Sequence, residues 1–287
     1  MRLTTTLLVL LAACGPSESH DLPHDAAPGP DAEEQVFPDA NSYIDTLVVD
    51  PSKVYAHSGQ VLYRLDTQTM DTIEIGPFGL GTASITDIAV DKDDRMLGVT
   101  LNAIFQIDID TGTATHLADL DAAAPDFTSL SFVPEDLDVP SSPEILVAAN
   151  VEGRVFQIDP TTGIATELGA YGTSGSDLIR SSGDLFAVHG VGILATVTIG
   201  DVLTSPDYLA RIDPLTWAAT PLGSGTEWDR IFGIGYWRGK VFGFVDLQGS
   251  GGSIVELDPV AGTGTVVDTG AVRWYGAGVT TDAPIVD

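Results

Sequence analysis

The chain has 287 residues, with 12 Lys plus Arg against 41 Asp plus Glu, a formal net charge of −29 and a single cysteine. Phosphate backbones are gripped by clusters of cations, which this composition lacks, so nucleic acid is excluded as a partner. The acid excess favours solubility and discourages docking on anionic headgroups. One thiol allows neither an internal disulfide nor a zinc-thiolate cluster. The fold must therefore be held by an apolar core, which a domain of about 240 residues is long enough to bury.

The chain opens on Met1 and Arg2, then an apolar run from Leu7 to Ala13 that ends at Cys14. Roughly ten apolar residues are too short to span a bilayer, which takes roughly 20, and read as an export signal. Leu11-Ala12-Ala13-Cys14 resembles the lipobox of bacterial lipoprotein precursors. That resemblance implies a signal peptide over 1–13, cleavage before Cys14, lipid attachment on Cys14 and a partner in the membrane through that anchor. Gly15, where inner-membrane retention would show Asp, leans by the same resemblance toward the outer membrane, on its periplasmic side or at the cell surface. From 14 to 42 the composition turns to Pro, Asp, Glu, Ser and Ala, with Pro16, Pro23, Pro28, Pro30 and Pro38 spaced through it. Such a segment buries too little to fold and is expected to be a flexible acidic stalk.

From 43 to 282 one pattern recurs five times: an apolar strand ending in Asp, a turn, and a Thr-rich strand. The strands are Leu62–Asp66, Ile104–Asp108, Val155–Asp159, Leu209–Asp213 and Ile254–Asp258, and their aspartates lie 42, 51, 54 and 45 residues apart. That spacing is the period of a propeller blade. Turn chemistry follows each aspartate, most plainly in Asp159-Pro160-Thr161-Thr162-Gly163, which places the aspartates in hairpins. Two further short strands precede each hairpin, as in Ile85–Val90 and Arg95–Thr100. Four strands per unit without helical periodicity predicts an all-β fold, a β-propeller of four-stranded blades. Five blades is the count, with six as the alternative, because Tyr43 to Val49 reads as either an innermost or an outer strand. Arg273 to Thr280 reads as another innermost strand, so that the two chain ends share a blade and protect its edges. Residues 283–287 are left as a C-terminal tail.

The Asp-Pro-x-Thr-Gly hairpins resemble the bacterial propeller group of YVTN, NHL and SMP-30-like repeats. The resemblance implies the fold more than any chemistry. Quinoprotein repeats would add a docking tryptophan eight residues after the aspartate, where this chain has His116 and Glu167. SMP-30-like lactonases hold a divalent cation in the ring with Glu, Asn and Asp. Their Glu-Gly-Pro opening has no counterpart near Tyr43 to Asp50, which leaves Asn102, Asn150 and Asp246 as ligands by position only. No cofactor is predicted, and so acidic a surface leaves weak calcium binding open. Asp91-Lys92-Asp93-Asp94 lacks the closing glutamate of a calcium loop and reads as a turn.

In the usual strand order, the turns after each second strand share one face with the links between blades. That face is expected to carry His57, Asn102, Asn150, His189, Trp228, Arg230, Asp246, Arg273 and Trp274. Trp and Arg are the residue types most enriched at binding hot spots, and aromatic faces stack on sugars. Turn chemistry accounts equally for the Asn and Asp positions, and blade packing for Trp274. No catalytic set appears: there is no Gly-x-Ser-x-Gly and no His-Glu-x-x-His. The sequence therefore points to a non-enzymatic binding or scaffolding propeller with a protein, peptide or glycan ligand. A metal-assisted lactonase or esterase is the alternative.

Overall fold

The computed structural model describes residues 51–286, apart from Ala123, Val202 and Leu203. Cys14, the signal peptide, the stalk and Tyr43 to Val49 lie outside the described residues. The strands are, in chain order, β1 (Val54–His57), β2 (Val61–Leu65), β3 (Thr72–Pro77), β4 (Asp87–Val90), β5 (Met96–Val99), β6 (Ala103–Ile107), β7 (Ala114–Asp119), β8 (Phe127–Pro134), β9 (Glu144–Asn150), β10 (Arg154–Ile158) and β11 (Ala165–Ala170). The chain continues through β12 (Thr173–Ser174), β13 (Asp177–Val188), β14 (Gly192–Ile199), β15 (Asp207–Ile212), β16 (Ala219–Pro221), β17 (Ile231–Trp237), β18 (Lys240–Asp246), β19 (Gly252–Leu257), β20 (Gly264–Gly270) and β21 (Gly276–Val279). They form five antiparallel sheets, ordered β21-β1-β2-β3, β4-β5-β6-β7, β8-β9-β10-β11, β12-β13-β14-β15-β16 and β17-β18-β19-β20. The protein is a five-bladed β-propeller, with β4, β8, β13, β17 and β21 packed side by side around the axis. The first blade takes its inner strand from the far end of the chain, where Val54 pairs with Val279 and His57 with Gly276. The six-blade alternative does not hold.

The gradient of burial within a blade follows its sequence. Inner and second strands such as β4, β5 and β21 are buried along their length, whereas outer β3, β7 and β20 keep most side chains half-buried or exposed. Apolar residues therefore fill the spaces between facing blades, and threonines cover the rim.

All five repeat aspartates build the same loop. In the third blade Asp159 Oδ1 accepts the Thr161 amide at 2.8 Å, and the Gly163 amide donates back to Asp159 O at 2.8 Å. Asp66, Asp108, Asp213 and Asp258 repeat this, and the residues closing the loops (Met70, Gly112, Gly163, Trp217 and Gly262) all have positive φ. The donated amides hold Asp108, Asp159, Asp213 and Asp258 below the usual carboxylate range. Each loop also latches onto the blade before it. A Cβ on Gly163 would stand 1.9 Å from Asp119 O. In the fourth blade the bulk is exchanged: Trp217 fills the loop position and lies over Gly169 of the preceding outer strand.

Beyond β21 the chain crosses one end of the ring as a strap. Thr280 Oγ1 donates to Asp91 O at 2.9 Å, and the Thr281 hydroxyl bonds the Glu144 carboxylate. Thr281 O accepts the His189 amide at 2.9 Å, and Pro284 O accepts the Arg238 amide at 2.7 Å. Residues 280–285 thus touch the other four blades.

Replacing Gly163 by Ala adds a left-handed backbone penalty to a clash with a neighbouring blade, so we expect a loss of about 3 kcal/mol or more. Gly172 also has positive φ, but nothing lies within 4 Å of its Cβ position. Gly172→Ala should therefore cost about 1 kcal/mol, and paired urea denaturation curves compare the two.

Candidate functional site

Two faces are distinguished by the loops they carry. The link face has the turns after each second strand and the connections between blades; the strap face has the turns after each inner strand. His57 at the end of β1, Asn102 after β5, Asn150 ending β9 and Asp246 ending β18 belong to the link face. Trp228 and Arg230 in the β16–β17 link and Arg273 and Trp274 in the β20–β21 link join them there. His189 does not. It follows the inner strand β13 and sits on the strap face, where Nδ1 is 2.9 Å from Leu137 O and Nε2 is 3.7 Å from Asp282 Oδ1. The misplacement has a physical cause: β13 is twelve residues long with a bulge between Ser181 and Leu185, and so reads as two short strands. His57 and His189 are accordingly not equivalent.

Several expected residues are already engaged in local structure. Asn150 Oδ1 accepts the amides of Glu152 and Arg154 at 3.2 and 3.0 Å. Asn102 Oδ1 accepts from the Thr100 hydroxyl at 3.1 Å. Trp274 is a core residue, only 4% exposed, packed edge-on against Tyr63 and Phe244. Trp228 is half-buried against Gly264 of the outer strand β20. The cation suggested by SMP-30-like propellers fits poorly with Asn102, Asn150 and Asp246. Their oxygens lie on three blades and are taken by turn donors and, at Asp246, by arginine. Among the described residues no three His, Cys, Asp or Glu side chains are grouped to hold a metal.

The assembled part of the link face is Arg230, Asp246 and Arg273. Asp246 is 1% exposed and takes a bidentate pair from Arg273, Nε to Oδ1 at 2.8 Å and Nη2 to Oδ2 at 3.0 Å. Arg230 Nη1 approaches the same carboxylate at 3.5 Å, and its buried Nε has no partner. The guanidiniums lie over aromatic rings, Arg230 over Phe232 at 5.9 Å and Arg273 over Tyr275 at 5.8 Å. Phe232 is set out of register by the bulge between Ile231 and Gly233, while the glycine after it packs directly on Gly276. Phe232, second in β17, and Tyr275, the residue before β21, thus lie at the same end of adjacent inner strands.

Beneath this end of the strands the axis is closed by a carboxylic acid pair that the sequence reading missed. Asp87 opens β4 and Asp184 sits in the β13 bulge; both are completely buried and hydrogen-bonded to each other. Asp87 accepts the amides of Ile88 and Leu130 at 2.9 and 2.7 Å, and Asp184 those of Leu185 and Ile234 at 2.6 and 2.8 Å, with Ala277 as a further donor. Every blade contributes one amide. Burial, and then the facing carboxylate, push Asp87 well above the ordinary range, and burial does the same to Asp184, so the pair retains a proton. His57 lies alongside, its Nε2 3.8 Å from Asp87 Oδ1. Its Nδ1 accepts the Gly59 amide at 3.1 Å, so the proton of the neutral ring sits on Nε2, and burial lowers its pKa to about 3. His57 is an interior residue with no route to a ligand. The signal that could have revealed the pair was an acid inside an apolar run in two units, Asp87-Ile88-Ala89 and Asp184-Leu185-Phe186.

No family model matches the chain, and no curated protein does. Among solved structures, a protein of unknown function from Bacteroides caccae is 11% identical over 79% of this chain and 98% of its own, with a TM-score of 0.46. A structure from work on the de novo evolutionary emergence of a symmetrical protein is 15% identical over 82% of this chain and 100% of its own, with a TM-score of 0.49. The periplasmic gluconolactonase of Pseudomonas aeruginosa is 13% identical over 77% and 83%, with a TM-score of 0.39. These likenesses carry no argument about activity, and the fold assignment rests on the sheet topology itself.

Burial pushes Asp207, at the start of β15, up to about 7. The folded chain keeps a proton there that the unfolded chain releases above its ordinary value, so this stabilisation is complete below pH ~4 and is lost as pH rises through about 7. The axial pair acts in the same direction. His57 acts oppositely, with stability lost as pH falls from ~6.5 toward its folded value, which offsets one carboxyl in mild acid. We therefore expect the urea midpoint to fall as pH rises from about 5 to 7, and Asp207→Asn to flatten that fall by up to one proton below pH ~6. An unchanged slope in the variant would show that Asp207 is already ionised in the fold.

Proposed function

We propose that the protein is a lipid-tethered, extracytoplasmic binding propeller that recognises its ligand on the link face around Arg230, Asp246 and Arg273. The observation that carries this reading is the concentration there of two arginines and two partly exposed aromatic rings, in a chain with only 12 Lys plus Arg. Two hollows elsewhere on the described surface are open to solvent. One of about 500 Å³ on the strap face is walled by Leu137, Val191 and Leu215, and one of about 560 Å³ lies along the Lys240–Glu256 ion pair. Both carry carboxylates, Glu256 and Asp258 in one and Glu135, Asp136 and Asp138 in the other, but neither combines an arginine pair with aromatic rings as the link face does. The tether rests on the Leu11-Ala12-Ala13-Cys14 motif.

Two measurements test the reading. Cys14→Ser should move the protein from the membrane fraction to the soluble fraction without changing its melting temperature. A photo-crosslinking residue placed at Tyr275 should capture a partner in envelope preparations, whereas one placed at Leu215 on the strap face should not. Equal capture at both places would remove the link face as the recognition surface.

A further inference from the structure

From the electrostatics of the same face we infer that its ligand presents a carboxylate, bound between Arg230 and Arg273 with an adjoining ring or apolar face laid on Tyr275. This deepens the proposed function and rests on the link face being the recognition surface.

The argument starts from an imbalance of charge. Among the described residues Asp246 is the only carboxylate paired with either guanidinium, and Arg273 already occupies both of its oxygens. Arg230 is the residue left over. Its side chain is 20% exposed, its nearest carboxylate oxygen stands 3.5 Å away, and its Nε is buried with no partner. A guanidinium taken largely out of water and only partly compensated is costly, and one further anion supplies the missing compensation. The three side chains in direct contact are two cations against one anion, in a protein of net charge −29. A planar guanidinium with unspent N–H donors matches a carboxylate in shape, and Arg230, lying over Phe232, has donors that Asp246 does not fill, while Arg273 spends its Nε and Nη2 on Asp246 and adds charge beside it.

The aromatic side of the site favours a small organic acid over a bare inorganic anion. Tyr275 is 41% exposed although it flanks the buried inner strand β21, and its amide is fixed by donation to His57 O at 2.8 Å. An exposed ring held on a rigid strand end beside a guanidinium offers a stacking surface next to a charge. Sugar acids and peptide C-termini share this chemistry, a carboxylate adjoining a ring or an apolar side chain.

The test is calorimetric titration of the chain with D-glucuronate and D-glucose, and with a Tyr-terminated tripeptide carrying either a free or an amidated C-terminus. Glucuronate or the free-acid peptide should bind, whichever is the source, and the neutral counterpart should bind at least tenfold more weakly. Arg230→Gln should weaken the acid at least tenfold, Arg230→Lys should restore part of the loss, and Tyr275→Ala should weaken it severalfold. Asp246→Asn should act oppositely and tighten the acid, which separates charge balance from general damage; far-ultraviolet dichroism and melting confirm that each variant is folded. Neutral and acidic probes binding alike, with loss only in Tyr275→Ala, would overturn the carboxylate while leaving the link face in place. Absence of binding by both acids also overturns it, and the crosslinking comparison then decides the link face independently.

Discussion

The buried carboxyl pair of Asp87 and Asp184 ties the centre of the molecule together. A propeller of five blades brings five inner strands to one axis, and each arrives with backbone amides that its own sheet leaves unpaired on the axial side. Two carboxyls placed there accept one amide from each blade. Two full negative charges so close together and so deeply buried would repel strongly, which is why both acids are pushed well above the ordinary carboxylate range. The small residues of β17 and β21 follow from the same crowding: a Cβ on Gly276 would meet Asp87 and His57 at 2.3 and 2.4 Å. The axis is occupied by these buried polar side chains, and the less buried polar groups lie outward, in the links between blades.

That outward shift explains the character of the link face. Its arginines come from connections between blades and its acid from the end of a second strand, so the cluster sits where the fourth, fifth and first blades meet. Arg273 and Asp246 clamp the link that leads into the closing strand. Arg230 adds charge without a full share of the clamp. A group that held only a structural role would be expected to find its counter-charge within the fold, as Lys240 does with Glu256 at 3.0 Å.

The legible part of the sequence was its periodicity. Asp66, Asp108, Asp159, Asp213 and Asp258 announce the hairpins because turn chemistry is local, and their spacing announces the blades. The inner strand contributed by Gly276–Val279 was also readable, since a lone apolar strand at the chain end needs a sheet to complete. Asp87, Asp184 and Asp207 were hidden because their role depends on strands far apart in sequence meeting at the axis. His189 was placed on the wrong face because a bulge interrupts the alternation of β13. Trp274 illustrates the opposite limit: its residue type suits a hot spot and a core equally, and only its contacts with Tyr63 and Phe244 decide between them.

The strap and β21 also set the order in which the protein can be made. Val54 has no inner neighbour until Val279 reaches it, and residues 280–285 then fasten onto all the remaining blades. Contacts between residues so distant are slow to form, and until they do the first blade presents a bare sheet edge. A chain still emerging from a ribosome therefore has no closed ring until Val279 has been made. Residues 276–285 work as a clasp, so that the closed ring is available only once this segment has taken its place.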